Sequence, residues 1–148
     1  MKANNLLSIL LILFVAGSTG CASSGGAKGE EAIVLYQKAN QYYSQGLFTE
    51  AEAEYLKMTK LYPKYYESYL KLGNIYTRTD QLDAAIRVYE IAAKLRPNNE
   101  KVWNNLALVR VKQAIKYLEE GKTHMDIGSS SYLAFETTKS RIIKTMAE

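Results

Sequence analysis

The sequence predicts an all-α chain built from repeated helical hairpins, with an atypical, lengthened last unit. Three observations carry that expectation. The chain superposes on itself at an offset of 34 residues, apolar residues within each copy recur at helical spacing, and a turn or breaker residue falls at the same place in successive copies.

At that offset Tyr42 falls on Tyr76, Phe48 on Leu82, Ala51 on Ala85, Tyr55 on Tyr89, Leu61 on Leu95 and Pro63 on Pro97. Leu35, Tyr69 and Trp103 share one column, and Ala39, Gly73 and Ala107 another. A 34-residue period with these residue classes resembles the tetratricopeptide repeat. In the second copy the family positions are held by Tyr69, Leu72, Gly73, Tyr76, Ala85, Tyr89, Ala92 and Pro97.

The residues support the same reading on physical grounds. Leu35, Ala39 and Tyr42, then Ala51, Tyr55 and Met58, lie along single helix faces. The small residues of the Ala39/Gly73/Ala107 column suit close helix approach, and the common alanine there predicts that Gly73→Ala is mild. Gly46 and Asp80 break the chain between paired helices, and Pro63 and Pro97 close each unit. Thr49 with Glu52 has the spacing of a capping box, with Asp83 in the Thr49 column. Each hairpin leaves an apolar face that only a neighbour can cover, so the units must stack. Lys38, where the family has Leu, marks the first repeat as looser.

The third copy departs from the pattern. "EKVWNNLALVRVKQAIKYLEEG" has no turn near residue 114 and reads as one long helix ending at Gly121. After a short loop, "YLAFETTKSRIIKTMA" puts Tyr132, Phe135, Ile142 and Met146 on one face of a final helix. Repeats are therefore expected over residues 32–65, 66–99 and 100–148, within a domain of residues 31–148.

The N-terminus carries a different signal. Lys2 precedes a ten-residue block, Leu6–Val15, broken only by Ser8, and then Gly17, Ser18, Thr19 and Gly20 lead to the single cysteine, Cys21. The block is too short for a permanent span, which takes roughly 20 apolar residues, and has the grammar of a signal peptide. Ser-Thr-Gly-Cys after such a block resembles the lipobox of bacterial lipoproteins, with Ser18 standing where Leu is usual. The resemblance implies cleavage after residue 20 and lipid attachment at Cys21. Ala22 rather than Asp after the cysteine implies the outer membrane, facing the periplasm. Residues 21–30 then read as the lipidated cysteine and a flexible tether, the nine residues 22–30 having a coil reach of about 15–18 Å.

Composition excludes several function classes. The net charge is +4, and loss of Lys2 with the signal leaves 18 basic against 15 acidic residues, too even a balance for nucleic acid. One cysteine excludes an internal disulfide. His124 and Asp126 in the last loop are too few for a metal site, no glycine-rich phosphate loop is present, and Glu50, Glu52 and Glu54 read as a solvated helix face. Neither a cofactor nor an enzyme is expected. Of the 12 tyrosines, Tyr42, Tyr55, Tyr69, Tyr76 and Tyr89 read as core, while Tyr62, Tyr65 and Tyr66 surround the turn between repeats as contact candidates.

In tetratricopeptide proteins the first helix of each pair lines a concave partner-binding groove. Carried over by position, the lining is Tyr36, Asn40 and Tyr43 from the first copy. Leu70, Lys71, Asn74, Thr77 and Arg78 come from the second, and Lys101, Asn104, Asn105, Leu108 and Lys112 from the third. Asn40 and Asn74 match the asparagines with which some members hold an extended peptide, an amide offering both donor and acceptor. Tyr36 and Asn104 stand where chaperone-binding members carry carboxylate-clamping lysines. The basic lining of the second and third copies implies acidic partner segments. The resulting expectation is a membrane-anchored adaptor or scaffold of the cell envelope that binds a protein or peptide segment. Two alternatives are a pilotin-like assembly factor for an outer-membrane complex and a non-catalytic accessory subunit of a cell-wall enzyme.

Overall fold

The structure, a computed structural model, describes residues 24–147; Cys21 and the apolar block before it lie outside the described residues. Six helices follow one another: α1 (Ser24–Ser44), α2 (Phe48–Leu61), α3 (Tyr66–Arg78), α4 (Leu82–Leu95), α5 (Glu100–Lys122) and α6 (Ser130–Ala147). The described residues contain no strand, and no helix among them is long and apolar enough to cross a membrane. Two compact units divide at residue 31: in the first, residues 24–31 are the opening turns of α1, and the helical stack belongs to the second.

Residues 24–30, expected as an irregular tether, are helical instead. Gly25 and Gly26 lower helix propensity, but no proline blocks propagation back from Glu30, and each residue added to an existing helix gains a hydrogen bond without a new nucleus.

The 34-residue repeat is visible in the backbone. Gly46 (φ 75°) and Asp80 (φ 58°) adopt the left-handed conformation between the helices of the first two hairpins. The next residue then donates back into the helix, Leu47 N–H to Tyr42 O and Gln81 N–H to Tyr76 O. At the other end, Tyr62 N–H bonds Met58 O and Arg96 N–H bonds Ala92 O. Tyr69 and Trp103, one repeat apart, donate their side-chain protons to the carbonyls of Pro63 and Pro97 at 3.1 and 2.7 Å.

The expected capping box does not form. With Gly46 and Asp80 in the turn, α2 and α4 start at Phe48 and Leu82, whose side chains pack inward, and neither N-cap (Leu47, Gln81) makes a side-chain bond. Thr49 and Asp83 are thus already inside the first turn. Glu52 accepts a hydrogen bond from the Tyr76 hydroxyl (2.9 Å), and Asp83 accepts one from the Gln113 amide (2.6 Å). A true side-chain cap occurs at α5, where Asn99 Oδ1 accepts from Val102 N–H.

The core is a line of small and aromatic residues. Ala39, Ala51, Tyr55, Met58, Leu72, Ile75, Ala85 and Tyr89 are essentially inaccessible to solvent. Gly73 lies directly under the ring of Tyr89. Columns that face the preceding repeat are buried in the second and third copies and open in the first. Ser68 and Val102 are fully buried while Val34 is 63% exposed, and Ile75 and Val109 are buried while Gln41 is exposed. Lys38, aligned with buried Leu72, pairs instead with Glu54 (2.5 Å) and lies 5.9 Å from the Tyr42 ring. A charged residue serves there because that face is solvated.

The third hairpin is shifted outward. α5 continues past Gly121 to Lys122, one residue beyond the expected stop, and Phe135 of α6 packs on Gly121 much as Tyr89 packs on Gly73. Tyr132, Phe135 and Ile142 are half-buried as expected, but Met146 is exposed. Lys122 and Lys139 each bridge Glu119 and Glu136 across the two helices.

Candidate functional site

The first helices α1, α3 and α5 contribute a cleft of about 290 Å³ lined by Tyr43, Asn74, Thr77, Arg78, Tyr89, Asn105 and Leu108. Six of these seven are among the residues the repeat register assigns to the groove. The seventh, Tyr89, was assigned to the core. It does both, since its ring is buried on Gly73 while its hydroxyl reaches the cleft.

A hydrogen-bonded row forms the floor. Tyr89 Oη donates to Asn74 Oδ1 at 2.7 Å, Asn105 Nδ2 donates to the same oxygen at 3.0 Å, and Thr77 Oγ1 lies 3.5 Å from the Tyr89 hydroxyl. The Tyr89 phenol, protonated at neutral pH at its ordinary pKa, is pushed further up by burial and so stays a donor. One repeat earlier Tyr55 donates to Asn40 at 2.8 Å, and burial raises its phenol too. The carbonyl oxygens of Asn40 and Asn74 are therefore occupied within the fold. Of the two amide functions expected to grip a peptide backbone, the acceptor half is already committed.

Lys71 and Arg78 differ from the solvated cations that the groove register implies. The Lys71 ammonium sits 4.6 Å from the Tyr43 ring centroid, half-buried, and burial lowers its pKa. The Arg78 guanidinium lies about 6 Å from the rings of Tyr43 and Phe48. Both hold α3 against the first hairpin as cation–π contacts, with Arg78 exposed enough to meet an anion as well.

The remaining predicted residues do not line this cleft. Tyr36 packs its ring against Tyr55 and Tyr65 at 6.0 and 5.3 Å, and Leu70 packs against the core. Lys101, Asn104 and Lys112 are exposed along α5. The tyrosines at the α2–α3 turn are mostly structural. Tyr65 packs its ring at a tilt against Tyr36, and Tyr66 accepts a hydrogen bond from Asn99 and lies under Arg96, 4.8 Å away. An apolar cleft of about 440 Å³ also opens at that turn, and one of about 370 Å³ lies between the α3–α4 turn and α5. Neither draws on side chains from three successive repeats, as the 290 Å³ cleft does. Among the described residues, no group of three or more His, Cys, Asp or Glu could hold a metal ion.

The cleft offers one open cation, an amide pair and two apolar walls, Tyr43 and Leu108, the latter 42% exposed. That combination can hold an extended segment, pairing its carbonyl or carboxylate oxygens with Arg78 and burying a side chain against Leu108.

Comparisons with known proteins agree with this architecture. A family model described as "TPR repeat" matches residues 73–113, and one described as "Tetratricopeptide repeat" matches residues 54–87. No curated protein matches the sequence. The structure is similar to the first TPR of Spaghetti (RPAP3) bound to the HSP90 peptide SRMEEVD, with 22% identity over 80% of this chain and 95% of that one (TM-score 0.56). It is also similar to the Sgt2 TPR domain from Aspergillus fumigatus, with 21% identity over 79% and 82% (TM-score 0.54). The fold is that of tetratricopeptide repeats, two regular hairpins followed by a lengthened third.

Proposed function

We propose that this chain is a protein-interaction adaptor whose α1/α3/α5 cleft holds an extended segment of a partner protein. The observation that carries the proposal is the convergence of side chains from three successive repeats on one cleft, with Arg78 and Leu108 still open to solvent. The solved TPR of Spaghetti holds a peptide with two adjacent glutamates, and Arg78 suits acidic segments here. Tyr36 and Asn104 replace the clamp lysines, so an internal acidic segment suits the cleft better than a terminal carboxylate.

In the same proposal the adaptor is a lipoprotein of the bacterial envelope, anchored through Cys21 to the outer membrane and facing the periplasm. Support comes from the order of Lys2, the Leu6–Val15 block and the small residues before Cys21. Two acyl signals on one cysteine give stable anchoring where a single chain gives marginal binding.

The test for the cleft is partner capture from envelope extract by wild type and by Leu108→Glu. Leu108 is exposed, so the variant should fold normally and lose the partner. Capture at wild-type level would remove the cleft as the site. For the anchor, labelled palmitate should mark wild type and not Cys21→Ser; unlabelled wild type in the soluble fraction would refute the lipoprotein reading.

A further inference from the structure

We propose that the edge of the stack bearing the two turns between repeats docks on a membrane surface of anionic phospholipid. This rests on the lipid anchor proposed at Cys21 and goes beyond it, to the face that the stack turns toward the bilayer.

The chain enters the stack at this edge. Lys38 bonds Glu54 and Tyr55 bonds Asn40, so each step back along α1 moves one residue forward along α2. Ala32, the first residue of the stack, is then level with residues 60–63. The turn after α2 and the turn after α4 lie side by side here. Asn99 donates to the Tyr66 hydroxyl at 3.1 Å, and the Arg96 guanidinium lies 4.8 Å from the same ring. Between Cys21 and Ala32, helical residues 24–31 rise about 12 Å and the three before them reach at most about 10 Å, so Ala32 stays within about 22 Å of the acylated residue.

Charge decides which way the stack faces. Counted with the helix turn on either side, the two inter-repeat turns carry Lys60, Lys64, Lys94, Arg96 and Lys101 against Glu67 and Glu100, an excess of three cations. That equals the excess of the whole chain once Lys2 leaves with the signal. Lys28, Glu30 and Glu31, just before the stack in sequence, reduce it by one. The opposite edge, with the Gly46 and Asp80 turns, carries Glu50, Asp80 and Asp83 against Arg78, and Lys116 of α5 reaches Asp80 at 2.8 Å. The stack is therefore basic at the end where the anchor joins and acidic at the other, and an anionic surface orients such a body basic end first.

Apolar surface lies among these cations. Ile33 and Val34 at the entry of α1, Leu61 at the first inter-repeat turn and Trp103 beside the second are each half exposed or more. The apolar cleft of about 440 Å³ lined by Leu61, Tyr62, Pro63, Lys64 and Tyr65 opens at the same end. The indole N–H of Trp103 bonds Pro97 O, which holds the ring against the second turn. Long-stemmed cations with amphipathic rings suit the headgroup layer of a bilayer. A second copy does not satisfy this edge by two-fold pairing, since that sets the basic turns against themselves. An acidic protein would satisfy the charge, but only a bilayer is already brought to this edge by the anchor.

Trp103 is the only tryptophan in the chain and reports from the edge. The full chain, purified with its anchor, is reconstituted into vesicles of phosphatidylcholine alone and of phosphatidylcholine with an equal part of phosphatidylglycerol, each containing headgroup spin-labelled lipid as quencher. Trp103 should be quenched and shifted to the blue in the anionic vesicles at low salt, and both effects should fade as salt rises. In phosphatidylcholine alone both should be weak. Lys64→Gln/Lys94→Gln, at exposed positions, should leave the melting temperature unchanged and lower the docked-to-undocked ratio roughly fivefold per cation. Arg141→Gln/Lys144→Gln, the same loss of charge on exposed positions of α6, should leave it as in wild type. Palmitate label on Cys21 with Trp103 indifferent to lipid charge would overturn this inference and leave the anchor standing. An unlabelled Cys21 would remove the anchor and this inference with it. Loss of partner capture in Lys64→Gln/Lys94→Gln, with Trp103 indifferent to lipid charge, would assign the edge to a protein. Salt-sensitive association of the chain in detergent without vesicles would assign it to the acidic edge of a second copy.

Discussion

The Tyr89 hydroxyl bonds Asn74 Oδ1 at 2.7 Å, and Tyr55 makes the equivalent bond to Asn40 at 2.8 Å, 34 residues earlier. A polar link is thus built into each regular hairpin at the point where its helices approach most closely. It joins the packing column to the groove column, so fold and site share these residues.

The shared role is measurable by a double-mutant cycle. Tyr89→Phe removes a donor and should cost about 0.5–1.5 kcal/mol, a typical net hydrogen-bond contribution. Asn74→Ala removes the best-placed acceptor of the buried hydroxyl, leaving Thr77 at 3.5 Å and the Asn105 amide, and should cost more. Urea melts of the two single variants and the double variant should give a coupling energy of about 0.5 kcal/mol or more, as expected for residues in contact. Strict additivity would mean that the bond contributes nothing. Loss of partner binding in Asn74→Ala is consequently ambiguous, whereas Leu108→Glu is not.

Gly73→Ala should be destabilising, contrary to the expectation raised by Ala39 and Ala107 in its column. A Cβ at Gly73 would lie 2.3 Å from Tyr89 Cε1 and 2.6 Å from Cδ1 and Cζ. The ring cannot swing away freely, because it is buried and its hydroxyl is bonded to Asn74. Overpacking of this kind costs about 1–3 kcal/mol. A thermal melt should place Gly73→Ala well below wild type, and Gly73→Ala/Tyr89→Leu should recover part of the loss. A wild-type melt for the single variant would contradict the close approach.

What the sequence made legible is whatever repeats. Turn residues Gly46 and Asp80 and the buried tyrosines follow from the period, the long α5 from uninterrupted helical spacing, and six of the cleft residues from the tetratricopeptide resemblance. Contacts made between repeats were not legible. Lys71 is assigned to the groove by column, yet its ammonium lies over Tyr43 and outside the cleft, and Arg78, which does line the cleft, also packs on Tyr43 and Phe48. The caps were misplaced for a related reason. Packing of Phe48 and Leu82 outweighed the side-chain bond that Thr49 and Glu52 could make. The register of α6 against α5 is not defined by the third copy's sequence, which lacks the period.

The α5–α6 hairpin should be the acid-sensitive part of the stack. Its four charges alternate in sign: Lys122 reaches Glu119 at 2.8 Å and also Glu136, while Lys139 reaches them at 2.5 and 3.2 Å. Hydrogen bonds from Lys122 and then Lys139 hold the Glu119 carboxyl down at about 2, and they lower that of Glu136 as well. A carboxyl depressed in the folded state stabilises it fully above the unfolded value, near 4.5 here, and that contribution disappears as pH falls through the folded value. α6 should therefore loosen as pH drops from about 4.5 towards 2, while the α3–α4 pair, held by buried Tyr89, Ala85 and Ala92, does not respond in that window. The four side chains are half-buried but still reached by solvent, so high salt should weaken the network in the same direction as acid. Amide exchange, corrected for the intrinsic effect of pH, can follow both helix pairs in one sample. Protection in α6 should fall relative to α4 over this interval. The double variant Glu119→Gln/Glu136→Gln should start with low α6 protection and show no further pH dependence. If wild-type α6 keeps its protection down to the acid end at both low and high salt, the hairpin is held by Phe135 on Gly121 and its apolar neighbours alone.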